Sequence, residues 1–154
     1  MIDVAIIGGG HAGTAIAGRC MEAGLDVSVI EQAFAKPDNW PTAWVTGRGV
    51  VSGPGMVTVL DPATGDERQV IPARAIVLAI GQIDPADPSA KMLGITKFGA
   101  ELSPDGKFIQ VNPSGRTRAE GIFASGGVAS GSTPYLQEEL NRYCSKAITE
   151  EKEG

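Results

Sequence analysis

The chain begins MIDVAIIGGGHAGTAIAGRC, an apolar run that stops at Gly8, Gly9 and Gly10 and resumes after Gly13 as a string of small residues. Glycine loses more backbone freedom on folding than any other residue, so a cluster is costly unless the chain must turn tightly or approach something closely. Ile2–Ile7 reads as a buried parallel strand. Ala12–Ala23 sets Ala12, Ile16, Ala17 and Cys20 at helical spacing and stops at Gly24, a residue suited to a helix C-terminus. Val27–Ile30 reads as a second buried strand, closed by Glu31. Residues 1–31 therefore form a βαβ unit, whose crossover must be right-handed.

Within that unit, Gly8-x-Gly10-x-x-Gly13 with an acid at the end of the next strand is the pattern of a dinucleotide site. Gly8 permits the tight turn, Gly10 lets backbone approach a pyrophosphate, and Gly13 lets helix and strand pack closely. Gly9, His11 and Ala12 complete the turn, where the helix start offers free N–H groups and the positive end of its dipole. Glu31, with Gln32 beside it, is placed to accept hydrogen bonds from an adenosine ribose. An acid there disfavours a 2′-phosphate, which points to FAD or NAD over NADP. His11 is the single histidine. It polarises a phosphate, moves a proton, or is simply tolerated at this position.

Beyond the unit, Ala35–Thr42 reads as a loop, where a doubly wound fold usually carries another helix. In residues 44–74, WVTGRGVVSG, MVTVLD and RQVIPA are divided by Gly-Pro-Gly and DPATGD, the signature of a three-stranded antiparallel meander. Residues 75–127 supply return strands. AIVLAIG (Ala75–Gly81) is a buried parallel strand, DPADPSAKMLGI a loop with one helical turn, KFIQVNP a strand, and GIFASGG a short buried strand entering a glycine turn. Residues 133–150 read as a helix with a Ser/Thr cap, Pro134 at its first position, apolar Leu136, Leu140, Tyr143, Cys144 and Ile148, and a fraying acidic tail. The expected fold is α/β and Rossmann-like, of the three-layer FAD/NAD-binding kind: a parallel sheet with a three-stranded antiparallel meander, in one domain over residues 1–154.

A net charge of −5 argues against nucleic acid or an anionic membrane as partner. No run approaches the ~20 apolar residues of a membrane span, and no basic flank precedes an apolar stretch as in a secretory signal. A cytoplasmic protein is expected, with Cys20 and Cys144 reduced. No CxxC occurs, so neither a dithiol centre nor a cysteine-ligated cluster is expected from this chain, and no metal site.

The order of βαβ unit, meander, VLAIG, TRAEGIFASGGVASG and terminal helix resembles the two-dinucleotide-binding flavoproteins, a group that includes thioredoxin reductase-like enzymes. The match at Thr117–Gly127 falls on the family's T-x-x-x-G-I-F-A-x-G-D stretch, which brings a strand end and a helix start onto the flavin. The resemblance implies bound FAD and adds Ala79, Gly81, Gly126, Gly127, Thr133 and Pro134 to the cofactor-binding residues. Two departures stand out. The family's NAD(P)H domain has no room in the roughly forty residues between Gly81 and Gly121, and Gly127 occupies the place of the family's aspartate. DPATGDERQVIPARAIVLAIGQ, GAELSPDGKFIQVNP and GIFASGGVASGSTP are similar to the flavin-carrying subunit of heterodisulfide reductase, whose glycine stretch also tends to lack the aspartate and to run on into a Pro-bearing helix start. They are also similar to the flavin subunits of quinone-interacting membrane-bound oxidoreductases. This resemblance implies an FAD-binding domain that relays electrons to or from an iron–sulfur or other redox partner subunit. A terminal helix aimed at the flavin would stabilise negative charge at its pyrimidine edge.

Three functions stay open at this point. One is an FAD-binding electron-transfer domain or subunit of an oxidoreductase, whose reductant site lies on a partner. Another is an NAD(H)- or ADP-binding sensor or regulatory module without redox chemistry. The third is a structural remnant that binds nothing. Trp40 and Trp44 lie close together in a thin region of the chain, where they serve either a core or a homo-oligomer interface.

Overall fold

A computed structural model describes residues 1–81 and 95–153, with the backbone alone at 95 and 146–153. Its elements run β1 (Ile2–Ile7), α1 (His11–Glu22), β2 (Val27–Glu31), β3 (Ala43–Thr46), β4 (Arg48–Gly53), β5 (Met56–Leu60) and β6 (Glu67–Leu78). A 3-10 turn at Ile95–Phe98, β7 (Ile122–Ala124), a second 3-10 turn at Gly126–Val128 and α2 (Leu136–Glu153) follow. Parallel pairing joins β3, β2, β1, β6 and β7, and antiparallel pairing joins β6 to β5 and β5 to β4. The fold is α/β and Rossmann-like, with the meander built from β4, β5 and β6.

Alternation along the central strands sorts the apolar residues into two cores, because successive side chains of a strand face opposite sides. Val4, Ile6, Val27, Val29, Ala75 and Val77 face the helices, where Ile16, Ala17 and Cys20 of α1 and Leu136, Leu140 and Cys144 of α2 cover them. Ala5, Ile7, Ile30, Ile76 and Leu78 face the other way, toward Val51, Val57 and Val59 of the meander and Ala100, Ile109 and Val128. Helices, parallel sheet and meander thus form three layers. The last helix is clamped by polar contacts as well. Arg116 donates from Nε and Nη2 to Glu139 Oε1 at 2.8 and 2.6 Å, and its guanidinium lies over the rings of Phe123 and Tyr143. Burial pushes the Glu139 carboxyl up, but Arg116 and Arg142 outweigh that and hold it below the ordinary range.

Four expectations need correction. Ala43–Thr46 does not begin the meander. It pairs in parallel with β2, Val29 opposite Trp44 and Glu31 opposite Thr46. Parallel neighbours usually need a crossover of about a dozen residues, most often with a helix. Here residues 32–42 make it without one, and Trp40 and Trp44 cover the helix side of the sheet in an edge-to-face pair 5.5 Å apart. Second, RQVIPA and AIVLAI are not separate strands. The twelve residues of β6 pair first with β5 and then with β1, and Pro72, which has no N–H to give, sits exposed where the partner changes. Third, Lys107–Pro113 is not a regular strand: only Ile109 is bridged, to Leu102 and to Ala129. Fourth, α2 starts at Leu136, with Pro134 and Tyr135 in the turn ahead of it and Tyr135 C=O accepting from Glu139 N–H at 3.0 Å. The Thr133 hydroxyl bonds Ser125 Oγ at 2.7 Å instead of capping the helix. The loop expected at Asp84–Ile95 falls outside the described residues but for the backbone at 95, as does the side chain of Ile148. Among the described residues no helix is long and apolar enough to cross a membrane.

Candidate functional site

From β1 the chain steps outward to β2 and β3, then returns to β6 on the opposite side of β1. The carboxyl ends of β1 and β6 therefore border a topological switch point, the place where open α/β sheets form a crevice for ligands. The glycine turn lies there. Gly8, at φ +115°, enters a conformation that side chains disfavour, and a Cβ on it would stand 2.2 Å from the Ala79 carbonyl oxygen. Its N–H donates to Ile30 C=O at 2.8 Å, while Ala79 N–H donates to Ile7 C=O at 2.9 Å. A Cβ on Gly13 would stand 1.8 Å from Gly8 oxygen, so glycine is what lets α1 start directly against the turn.

Gly10 differs from its neighbours. Among the described residues a Cβ there would meet no atom within 4 Å, so its open side faces away from them. It precedes α1 with φ −78° and ψ −160°, and no side chain caps the helix. The first helical hydrogen bond runs from Thr14 N–H to Gly10 C=O at 3.0 Å, and among the described residues nothing accepts from the N–H groups of Gly10, His11, Ala12 and Gly13. Unpaired N–H groups at the positive end of a twelve-residue helix, beside a glycine with open space, suit a phosphate group. His11 is exposed at the first position of this helix.

Glu31 is buried, 7% exposed. Its Oε1 accepts from Gly9 N–H at 2.8 Å, and its Oε2 accepts from Ala33 N–H and from Phe34 N–H at 3.0 Å. Burial pushes this carboxyl up, yet the N–H groups of Gly9, Ala33, Phe34 and Gln32 outweigh it and leave the group below the ordinary Glu range. Of the roughly four acceptor positions of a carboxylate, three are filled by the Gly9, Ala33 and Phe34 N–H groups at hydrogen-bond distance. On the far side of the turn, a Cβ on Gly126 would lie 3.0 Å from Ala12 Cβ, which sets the second glycine turn against the first turn of α1.

The structure thus brings together Gly8, Gly9, Gly10, His11, Ala12 and Gly13 with Glu31, Ala79 and Gly126, and reaches Thr133 through Ser125. Gln32, Gly81, Gly127 and Pro134 are exposed beside those residues in the chain, and a Cβ on Gly81 would meet no described atom within 4 Å. Two participants carry no mark in the glycine pattern. The Trp44 ring packs on Gly9, whose Cβ would lie 2.4 Å from Trp44 Cη2. Placing WVT beside the second strand would have revealed it, since that register carries Trp44 toward the turn. Ser125, which meets the expected Thr133 through its hydroxyl, had no signal, because eight residues of irregular chain separate the two. Both cysteines are buried and free. Burial raises the Cys20 thiol and pushes Cys144 up to about 12, so both are neutral and poorly nucleophilic at pH 7.

No protein-family profile and no curated protein matches the chain. Solved structures do match its fold. An oxidoreductase from Agrobacterium tumefaciens aligns over 96% of this chain and 98% of its own, with 16% identity and a TM-score of 0.61. An atypical thioredoxin reductase from Desulfovibrio vulgaris Hildenborough aligns over 99% of each chain with 14% identity and a TM-score of 0.59. A GidA-related protein from Thermus thermophilus aligns over 97% of this chain and 99% of its own, with 16% identity and a TM-score of 0.50.

Proposed function

We propose that the chain is an FAD-binding electron-transfer domain or subunit of an oxidoreductase. The observation that carries the reading is the contrast among its glycines. Gly8 and Gly13 are glycine because the protein itself crowds them, whereas Gly10 is bounded by open space next to unpaired N–H groups. A side chain at Gly10 would cost the fold nothing sterically and would fill the space a pyrophosphate needs. The residues present fit the group. Backbone N–H groups at Gly10–Gly13 would hold its pyrophosphate, and the Glu31 carboxylate would take an adenosine ribose hydroxyl. Sharing a fold with an oxidoreductase and a thioredoxin reductase is consistent with FAD as the dinucleotide.

Bound FAD supplies the redox chemistry, and the protein supplies binding and orientation. The buried, neutral thiols of Cys20 and Cys144 are unsuited to pass electrons on, which favours a donor or acceptor group on a separate partner chain. The likeness to heterodisulfide reductase flavin subunits in the GIFASGGVASGSTP segment suggests an iron–sulfur partner. The test is the visible spectrum of the purified chain after incubation with FAD and removal of the excess, before and after dithionite. A flavin spectrum that bleaches on reduction supports the reading. A colourless protein that titrates NADH fluorescence and ignores FAD overturns it in favour of a nucleotide sensor.

A further inference from the structure

We infer that Glu31 and Trp44 together brace the glycine turn, holding it in its binding shape before any ligand arrives. Gly9 is gripped at two points. Its N–H donates to Glu31 Oε1 at 2.8 Å across 22 residues of chain. Its Cα is covered by Trp44, with Cη2 and Cζ2 at 2.4 and 2.9 Å from the place of a Cβ. Each grip is itself anchored. Glu31 Oε2 is held by the Ala33 and Phe34 N–H groups at the start of the β2–β3 crossover. Trp44 is held at its other end, by pairing with Val29 and by the edge-to-face contact with Trp40.

A turn of three consecutive glycines has no side chains of its own to order it, and an unbraced one samples many conformations. Ordering it at the moment of binding would subtract from affinity, and ordering it beforehand removes that cost. An acid whose sole task was to meet a ribose would keep its acceptor positions open. Glu31 commits three of them to backbone N–H groups. What the turn holds rests on the nucleotide-site reading above, whereas the brace is visible without ligand.

The test uses the full chain without nucleotide and takes inorganic pyrophosphate, which has no ribose, as the probe. Amide exchange is followed by NMR and pyrophosphate binding by calorimetry, in wild type and Glu31→Gln. Glutamine keeps one acceptor oxygen but turns an N–H group toward donors. Exchange at Gly9 should rise about tenfold or more, the scale of one charge-assisted hydrogen bond, while the β1 amides keep their protection. Pyrophosphate should bind about tenfold more weakly although a negative charge has been removed. Trp44→Phe, which leaves the carboxylate in place, should raise Gly9 exchange in the same direction. Unchanged Gly9 exchange with unchanged or tighter pyrophosphate binding in Glu31→Gln overturns the brace and leaves Glu31 a ribose contact. Should Glu31→Gln fail to fold, a wild-type Gly9 amide exchanging like free peptide overturns it equally. A wild type that binds neither pyrophosphate nor FAD, yet loses Gly9 protection in Glu31→Gln, supports the brace and refutes the proposed function.

Discussion

Replacing Gly8, Gly10 and Gly13 by alanine one at a time should separate folding from binding. At Gly10 the backbone is extended, open to any L-residue, and a methyl group meets no atom of the described residues within 4 Å. Restricting the unfolded chain there stabilises by about 0.4–1 kcal/mol. Replacing glycine by alanine at an N-cap costs a similar amount, about 0.5–1 kcal/mol. The two nearly cancel, so for a chain of this size the melting temperature should stay within about 4 °C of wild type. At Gly13 the same methyl stands 1.8 Å from Gly8 oxygen and 2.9 Å from its carbonyl carbon. Helix and turn must then separate by an ångström or more, at a cost of about 1–3 kcal/mol or above. Gly8→Ala adds an unfavourable φ of +115° to a 2.2 Å clash and should be worse. Binding should follow a different order. The methyl of Gly10→Ala, and more so the side chain of Gly10→Val, occupies the space for the pyrophosphate. Losing two charged hydrogen bonds at about 1.5–3 kcal/mol each weakens FAD binding at least about a hundredfold. Thermal melts and titration of FAD fluorescence read the two effects separately. A Gly10→Val protein that binds FAD with wild-type affinity refutes the site, and a Gly13→Ala protein as stable as wild type refutes the close-approach account.

The Trp44 contact can be probed by exchange of size. Gly9→Ala drives a methyl against the indole and should destabilise by about 1–3 kcal/mol. In the Trp44→Leu background that cost should shrink, giving a coupling of about 0.5–3 kcal/mol. Strictly additive melts would show that the two residues do not meet. Glu31 also sets an acid limit. Because its carboxyl lies below the ordinary value of 4.5 in the folded chain, its stabilisation is complete above about pH 4.5 and fades as pH falls toward the folded value. The gap in melting temperature between wild type and Glu31→Gln should therefore narrow on acidification from pH 5 to pH 3. A gap that stays constant would mean the ionised carboxylate contributes nothing through its N–H partners.

The parts of this protein legible from residue order are those whose cause is local. The βαβ unit announces itself because an apolar run, a glycine cluster and a small-residue helix follow one another without interruption. Glu31 stands out as a site residue because it ends the strand next to that turn. The unbroken apolar run of Ala75–Leu78 marks a strand buried on both faces, and the two cores show which of its residues face which layer. Partner choice is a different matter. Four residues such as Ala43–Thr46 alternate equally well beside β2 or beside β4, and only the free edge of β2 decides between them. RQVIPA and AIVLAIG read as two strands, and β6 runs through both because it changes neighbours at Pro72, which needs no N–H at that point. The same holds for the site. Gly8, Gly9, Gly10 and Gly13 look alike in the sequence, each a residue without a side chain. Folding distinguishes them by what stands opposite: the Ala79 carbonyl, the Trp44 ring, open space, and the Gly8 carbonyl. Those neighbours come from as far as 71 positions along the chain, and nothing short of the packed sheet brings them within reach.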